Sequence, residues 1–246
     1  MNWGITRNLN AGISFTIWAS ILLLILSTKL FSPEAYTKYF EREDAFSEYL
    51  QALNYFLAAI VSFYVFVLAK RNGLSILSAL YLFLGLGLLF VSLEEISWGQ
   101  RIFGISNPEY FNENNVQEEL TIHNLKAFQP LLRHAYIAIS AYGTFAWIFS
   151  RLLRSISHGD CRSFVNYVVV ECYLAPYFLI CFLIYTWLHY VRPYMYLNNI
   201  GKFSDEFWFF LHWRDEEHAE LFLSFGFILF VIVKLQKLKN CLDRDL

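Results

Sequence analysis

The sequence predicts an all-α integral membrane protein, a bundle of about six transmembrane helices with an interfacial segment between the third and fourth. Of its 246 residues, 57% are hydrophobic and only 16% are charged, whereas soluble domains carry about 25% charged residues. The apolar residues form long runs, and about 20 such residues are needed for a helix to cross a bilayer. Because the sequence shows no internal repeat and no low-complexity linker, residues 1–246 are predicted to form a single transmembrane domain.

Each predicted helix coincides with one apolar run. The first is expected to be an uncleaved anchor, because its run is longer than the apolar core of a signal peptide and continues through Lys29. The second ends in a charged turn at Gly73, a residue typical of helix ends. Pro176 is expected to kink the fifth. The predicted spans are 11–31, 46–68, 74–93, 134–153, 164–189 and 219–233.

The placement of cationic residues predicts the orientation. Lysine and arginine near the ends of membrane spans favour the cytoplasm. They follow the second, fourth and sixth helices, as Lys70 and Arg71, then Arg151, Arg154 and Arg162, and finally Lys234, Lys237 and Lys239. With an even number of spans, both termini are predicted to be cytoplasmic. The net charge of −2 gives no reason to expect nucleic acid as a partner, so membrane lipids are the expected partners and protein partners are not indicated.

The loops on the opposite side carry acidic residues and a histidine from several helix ends. Glu94 and Glu95 close the third helix, where the helix dipole disfavours acids, so a helix-capping role does not explain them. Residues four apart share a helix face. Three pairs have this spacing: Asp44 with Glu48, Glu119 with His123, and Glu216 with Glu220. The topology therefore predicts one polar site on the outer face of the membrane.

Two interpretations of this site are open. Carboxylate and imidazole groups suit a divalent metal such as Zn, Mn or Fe, and the acids alternatively form a solvated surface that caps helix N-termini. The predicted metal ligands are Glu95, Glu119, His123, Glu217 and Glu220. The predicted catalytic residues are Glu94, Glu95 and His123. The predicted supporting residues are Asp44, Glu48, Arg101, Gln117, Asn124 and Glu216.

Common catalytic and metal-binding motifs are missing from the sequence. It contains no HExxH, GxSxG or Walker A pattern. The four cysteines occur singly, without a CxxC pair, which argues against a thiolate zinc site or a disulfide framework.

Four phrases of the chain resemble a family of uncharacterised bacterial multi-pass membrane proteins. The first is EEISWGQR at 94–101, and the second is the E-D-x-x-x-E phrase that ends at Glu48. The third is N-x-Q-x-E-x-x-x-H-N at 115–124, and the fourth is E-E-x-x-E at 216–220. Glu118 departs from the pattern, where a small residue is expected. The resemblance implies a bacterial inner membrane protein and groups these polar residues together, but it implies no activity.

Three functions remain open on these grounds. The first is a metal-assisted hydrolase or transferase that acts on a lipid or envelope intermediate. The second is a cation-linked transporter or channel, in which Glu171 would continue the path through the membrane; the inverted repeats common in transporters are not visible in the sequence. The third is a non-catalytic membrane sensor or assembly subunit.

Overall fold

Long helices account for most of this computed structural model, which describes residues 3–41, 45–117, 119–154, 163–198 and 215–243. The helices of 12 or more residues are α1 (Trp3–Phe31), α2 (Phe46–Arg71), α3 (Ser75–Glu95), α4 (Gln129–Arg154), α5 (Ala175–Thr186) and α6 (Glu216–Leu242). The predicted all-α class is confirmed. Among the described residues, four helices are long and apolar enough to cross a membrane, namely α2, α3, α6 and the Arg7–Phe31 part of α1.

Helix boundaries differ from the predicted ones mainly at polar ends. The sixth helix begins at Glu216 rather than 219, so its acidic residues lie within its first two turns. The third continues to Glu95, and the fourth begins at Gln129. Hydropathy alone underestimates the length of such helices, because their polar ends are still hydrogen-bonded in the helical pattern.

The prediction of one kinked helix over 164–189 is wrong. The chain forms a short helix at Val165–Val168, is non-helical over 169–174, and then forms α5. A π-helix at Trp187–Val191 leads into a further short helix at Arg192–Leu197. Pro176 lies in the first turn of α5, where a missing backbone N–H costs little. The proline therefore starts a helix instead of kinking one.

Helix α6 packs against both α2 and α5, and α2 also packs against α3. Two hydrogen bonds show which ends of these helices lie together. Asn54 Nδ2 of α2 donates to Ser224 Oγ of α6 at 3.1 Å, and Ser92 Oγ of α3 donates to the Ala52 oxygen of α2 at 2.8 Å. The carboxyl end of α3 therefore lies beside the amino ends of α2 and α6.

Helix α1 runs antiparallel to α6. Asn10 Nδ2 donates to Gln236 Oε1 at 2.7 Å near one end, and Lys29 Nζ lies 2.5 Å from Asp215 Oδ1 near the other. Both charged side chains are buried, and Tyr36 OH donates a second hydrogen bond to the same oxygen of Asp215. Because a buried charge is costly unless it is paired, this contact fixes where α1 ends against α6.

Two glycines let α4, α5 and α6 approach one another closely. A Cβ atom at Gly143 of α4 would lie 2.2 Å from the ring of Phe178, and one at Gly226 of α6 would lie 3.0 Å from it. The ring, which belongs to α5, is buried between the other two helices.

The non-helical stretch before α5 is stabilised by a buried lysine of α6. Lys234 Nζ donates to the main-chain oxygens of Asn166 and Val169 and to the carboxylate of Glu171, which also binds Lys237. Burial alone would raise the pKa of Glu171, but the two ammonium groups outweigh it and hold the pKa below its ordinary value. This charge cluster lies toward the end of α6 that is remote from Glu216.

Candidate functional site

A cavity of about 420 Å³ lies where the carboxyl end of α3 meets the amino ends of α2, α4 and α6. The segment between α3 and α4 forms one wall of the cavity, and Tyr185 near the end of α5 forms part of another. The structure thus brings to one place the helix ends that the sequence predicts to converge. The predicted site residues in its lining are Glu48, Glu95, Gln117, Glu119, His123, Asn124, Glu216, Glu217 and Glu220.

The other three predicted residues are Asp44, Glu94 and Arg101. Asp44 and the side chain of Arg101 lie outside the described part of the chain. Glu94 is buried behind the cavity, with only 3% of its surface exposed.

The Glu94 carboxylate accepts hydrogen bonds from several donors at once. Its Oε1 accepts one from Trp98 Nε1 at 2.5 Å. Its Oε2 accepts the main-chain N–H groups of Ile122 at 2.7 Å and His123 at 2.8 Å, and lies 3.2 Å from Nδ1 of the His123 ring. Glu94 therefore fixes both the backbone around His123 and the orientation of its imidazole.

A tight turn directly after α3 makes these contacts possible. Ser97 and Trp98 have φ angles of 48° and 54°, in the left-handed region that side-chain-bearing residues rarely adopt, and Gly99 follows with a φ of 76°. The turn brings the Trp98 indole to Glu94 and places Ser97 Oγ 2.8 Å from Glu119 Oε2. Such strained backbone persists only where surrounding contacts enforce it, and it is common at functional sites.

Amide side chains hold the rest of this segment in shape. Asn115 Nδ2 donates to the Thr121 oxygen, and its Oδ1 accepts the Gln117 N–H at 2.8 Å. Asn124 donates to the side-chain oxygen of Gln117. Gln117 and Asn124, which the sequence predicts as supporting residues, thus shape the wall of the cavity that carries His123.

Two tyrosines of the cavity were not predicted. Tyr136 and Tyr185 stack with ring centroids 4.7 Å apart, and the Tyr185 hydroxyl donates to the Glu220 carboxylate. No sequence pattern distinguishes them, because tyrosines near span ends ordinarily anchor a helix at the membrane interface. Glu216 also has a partner in the structure: its Oε1 lies 2.9 Å from His189 Nε2.

The predicted metal ligands line one cavity without converging on one point. Within the described ranges, no three His, Cys, Asp or Glu side chains are placed so that they could hold a metal ion. The contacts already given explain part of this arrangement: His123 turns its Nδ1 to Glu94, and Glu119 binds Ser97. Among the described residues, the expected donors are therefore not arranged as a metal site.

Comparisons with known proteins add no assignment for this cavity. No family model, curated protein or solved structure matches the chain.

We predict that Glu94→Gln loosens the segment around His123. A glutamine keeps one acceptor oxygen but turns an NH₂ group toward N–H donors, and hydrogen bonds to a charged group contribute about 1.5–3 kcal/mol. Amide hydrogen exchange at Ile122 and His123 should therefore become roughly tenfold faster or more. Exchange in purified protein, followed by mass spectrometry, measures this change.

Glu113→Gln is the matched control, because Glu113 is an exposed glutamate of the same segment that does not line the cavity. Equal exchange in Glu94→Gln and wild-type protein would show that the Glu94 contacts do not hold the segment.

Proposed function

We propose that the protein is a multi-pass membrane enzyme, a hydrolase or transferase that uses acid–base chemistry on the polar part of a lipid or envelope intermediate. One observation carries the proposal: Glu94 holds the Nδ1 side of His123 while the same imidazole lines a cavity with Glu95, Glu217 and Glu220. An imidazole oriented by a carboxylate and facing a cavity is the arrangement that general-base catalysis requires.

In this mechanism His123 is the base and Glu94 positions it. When Nδ1 donates to Glu94, Nε2 carries the lone pair and can accept a proton from an attacking water or hydroxyl group. The oxygen of that nucleophile then forms the new bond to the electrophilic centre of the substrate.

The carboxyl groups of the cavity supply the acid. Glu95 and Glu217 are close enough to Glu220 to repel it electrostatically, and such repulsion is relieved when one group of the cluster holds a proton. A proton held there can pass to the departing oxygen or nitrogen as its bond to the substrate breaks. The base and the acid thus come from different walls of one cavity.

A transporter or channel is less well supported. In that alternative Glu171 would continue a cation path toward the other face. Instead, the Glu171 carboxylate is bound by two lysines of α6, Lys234 and Lys237, which place positive charge on that route. A non-catalytic sensor or assembly subunit has no particular observation in its favour.

We predict that His123→Ala abolishes turnover. Wild-type protein in lipid nanodiscs, incubated with a total bacterial lipid extract, should deplete at least one lipid species and yield its cleaved or transferred product, as read by mass spectrometry. Loss of a general base lowers rates by about 10²–10⁴-fold, so His123→Ala should give no product above background.

His134→Ala serves as the control, because His134 is an exposed histidine of α4 that does not line the cavity. The acid–base proposal would be abandoned if no lipid changed with wild-type protein, or if His123→Ala converted the same lipid at the wild-type rate.

A divalent metal stays a prediction of the sequence, and no step above passes through one. Because the described carboxylates and His123 do not converge, we predict that turnover by wild-type protein is unchanged after incubation with EDTA, and that the dialysed protein holds less than about one tenth of an equivalent of Zn, Mn or Fe by elemental analysis. Loss of turnover in EDTA that Zn, Mn or Fe restores would instead support the metal-assisted mechanism.

The orientation also stays a proposal: six spans in the bacterial inner membrane, both termini in the cytoplasm, and the cavity on the outer side. Lysines and arginines at the carboxyl ends of α2, α4 and α6 support it. A contrary observation comes from Cys241, which forms a disulfide that the sequence did not predict, whereas Cys172 and Cys181 are free. Disulfides persist mainly in oxidising compartments, which favours the opposite orientation of the carboxyl end of α6.

Full-length fusions decide between the two orientations. A carboxyl-terminal green fluorescent protein should fluoresce in a bacterial host, and a carboxyl-terminal alkaline phosphatase should stay inactive, because that phosphatase folds only outside the cytoplasm. The reverse pair of results would place the carboxyl terminus, and with it the charge cluster of Glu171, on the outer side.

A further inference from the structure

We propose that the segment after α3 is anchored in the lipid interface of the membrane by an apolar patch, and that this anchor stabilises the wall of the cavity that carries His123. The anchoring itself does not depend on the proposed function, and only its consequence for turnover rests on that function. The apolar patch consists of Trp98, Ile102, Phe103 and Ile105.

The side chains of the apolar patch are exposed in the folded chain. The exposed fraction is 76% for Phe103 and 65% for Ile102, and the other two members are exposed as well. Residues 96–108 include a single ionisable residue, Arg101. Neighbouring exposed apolar side chains of this kind mark a contact with a membrane or with another protein.

The apolar patch continues the exposed face of a membrane span. Helix α3 is long and apolar enough to cross a membrane, and Phe83 and Phe90, seven residues apart on one face of it, are both exposed. The Phe90 ring meets the Trp98 indole edge-on, with ring centroids 5.7 Å apart. A Cβ atom at Gly99 would lie 2.9 Å from the Phe103 ring, so this ring lies against the residue that follows Trp98. Apolar contacts therefore lead from the span into the segment, and the partner of the span is lipid.

The place of the apolar patch in the chain favours lipid over a second protein. The patch directly follows the carboxyl end of α3, and the end of a span lies where head groups meet acyl chains. Indole rings are enriched at that level of the membrane. Apolar side chains of interfacial segments insert about 5–10 Å into this boundary. The bilayer that α3 crosses thus covers the patch without requiring a complementary protein surface.

Trp98 connects the apolar patch to the imidazole. Its Nε1 donates to Glu94 Oε1 at 2.5 Å, and Glu94 in turn holds His123. Because the polar N–H group of the indole points to this carboxylate, the apolar part of the ring is left to the exterior. The left-handed backbone of Trp98 persists only where contacts enforce it, and lipid around the ring supplies one such contact.

Photo-crosslinking of the full-length protein in lipid nanodiscs tests the anchor directly. With the photoreactive amino acid p-benzoylphenylalanine in place of Phe103, illumination should add the mass of a phospholipid, as read by mass spectrometry of the intact protein. The same replacement at Phe83, on the exposed face of α3, is the positive control, and Glu113, an exposed residue of the same segment, is the negative control. Lipid adducts no more frequent at Phe103 than at Glu113 would overturn the proposal. A covalent dimer instead of a lipid adduct would also overturn it, in favour of a second copy of the chain as the partner.

Amide hydrogen exchange tests whether the anchor stabilises the wall of the cavity. Phe103→Asp places a charge in the apolar patch at an exposed position, where little packing within the protein is lost. Because exchange follows the free energy of local opening, exchange at Ile122 and His123 in nanodiscs should become about threefold faster or more. Asn112→Asp is the matched control, since it adds the same charge to an exposed position of the same segment outside the patch and should leave exchange unchanged.

Wild-type exchange at Ile122 and His123 in the Phe103→Asp variant would overturn the link between the anchor and the cavity wall. If this variant fails to fold, the crosslinking result at Phe103 still decides whether lipid covers the apolar patch.

Neither measurement uses turnover, so this inference and the proposed function can fail separately. A lipid adduct at Phe103 in a protein that converts no lipid would refute the enzyme and keep the anchor. Turnover by a protein whose Phe103 position gives no more lipid adduct than Glu113 would keep the enzyme and refute the anchor.

Discussion

The buried carboxylate of Glu94 is the contact on which the site depends. It lies at the carboxyl end of α3, where the helix dipole opposes a negative charge, and burial adds a further cost. Donors from Trp98, Ile122 and His123 offset both costs. Because these donors come from the turn after α3 and from the segment before α4, satisfying one charge also fixes the wall of the cavity and the orientation of the imidazole.

Helix α6 and the residue before it carry charged side chains near both ends of the bundle. Near its amino end, Asp215 pairs with Lys29 and the acids at 216–220 meet the cavity, while nearer its carboxyl end Lys234 and Lys237 bind Glu171. Charges inside a membrane protein are expensive and are retained where they pair or act. The pairs account for Asp215 and Glu171, so the acids left facing the cavity are the ones that require a functional explanation.

The cavity combines a histidine whose position is fixed with several acidic residues from α2, α3 and α6. In the mechanism that we propose, the base oriented by Glu94 and an acid from the group around Glu220 act from different walls of this cavity. The hydrogen bond from Tyr185 to Glu220 shows that this wall depends on hydrogen-bond donors.

The sequence by itself determined the helical class and which polar residues meet, since apolar runs of about 20 residues and the side of each loop follow from hydropathy and connectivity. That reasoning placed Glu48, Glu95, His123 and Glu217 together without any motif. Only the tertiary structure decided what each does. The bonds of Glu94, the left-handed turn at Ser97 and Trp98, the tyrosines at Glu220 and the break before α5 all depend on contacts between residues remote in the chain. The local sequence pattern does not predict such contacts, because the same side chains would be equally stable at a bilayer interface.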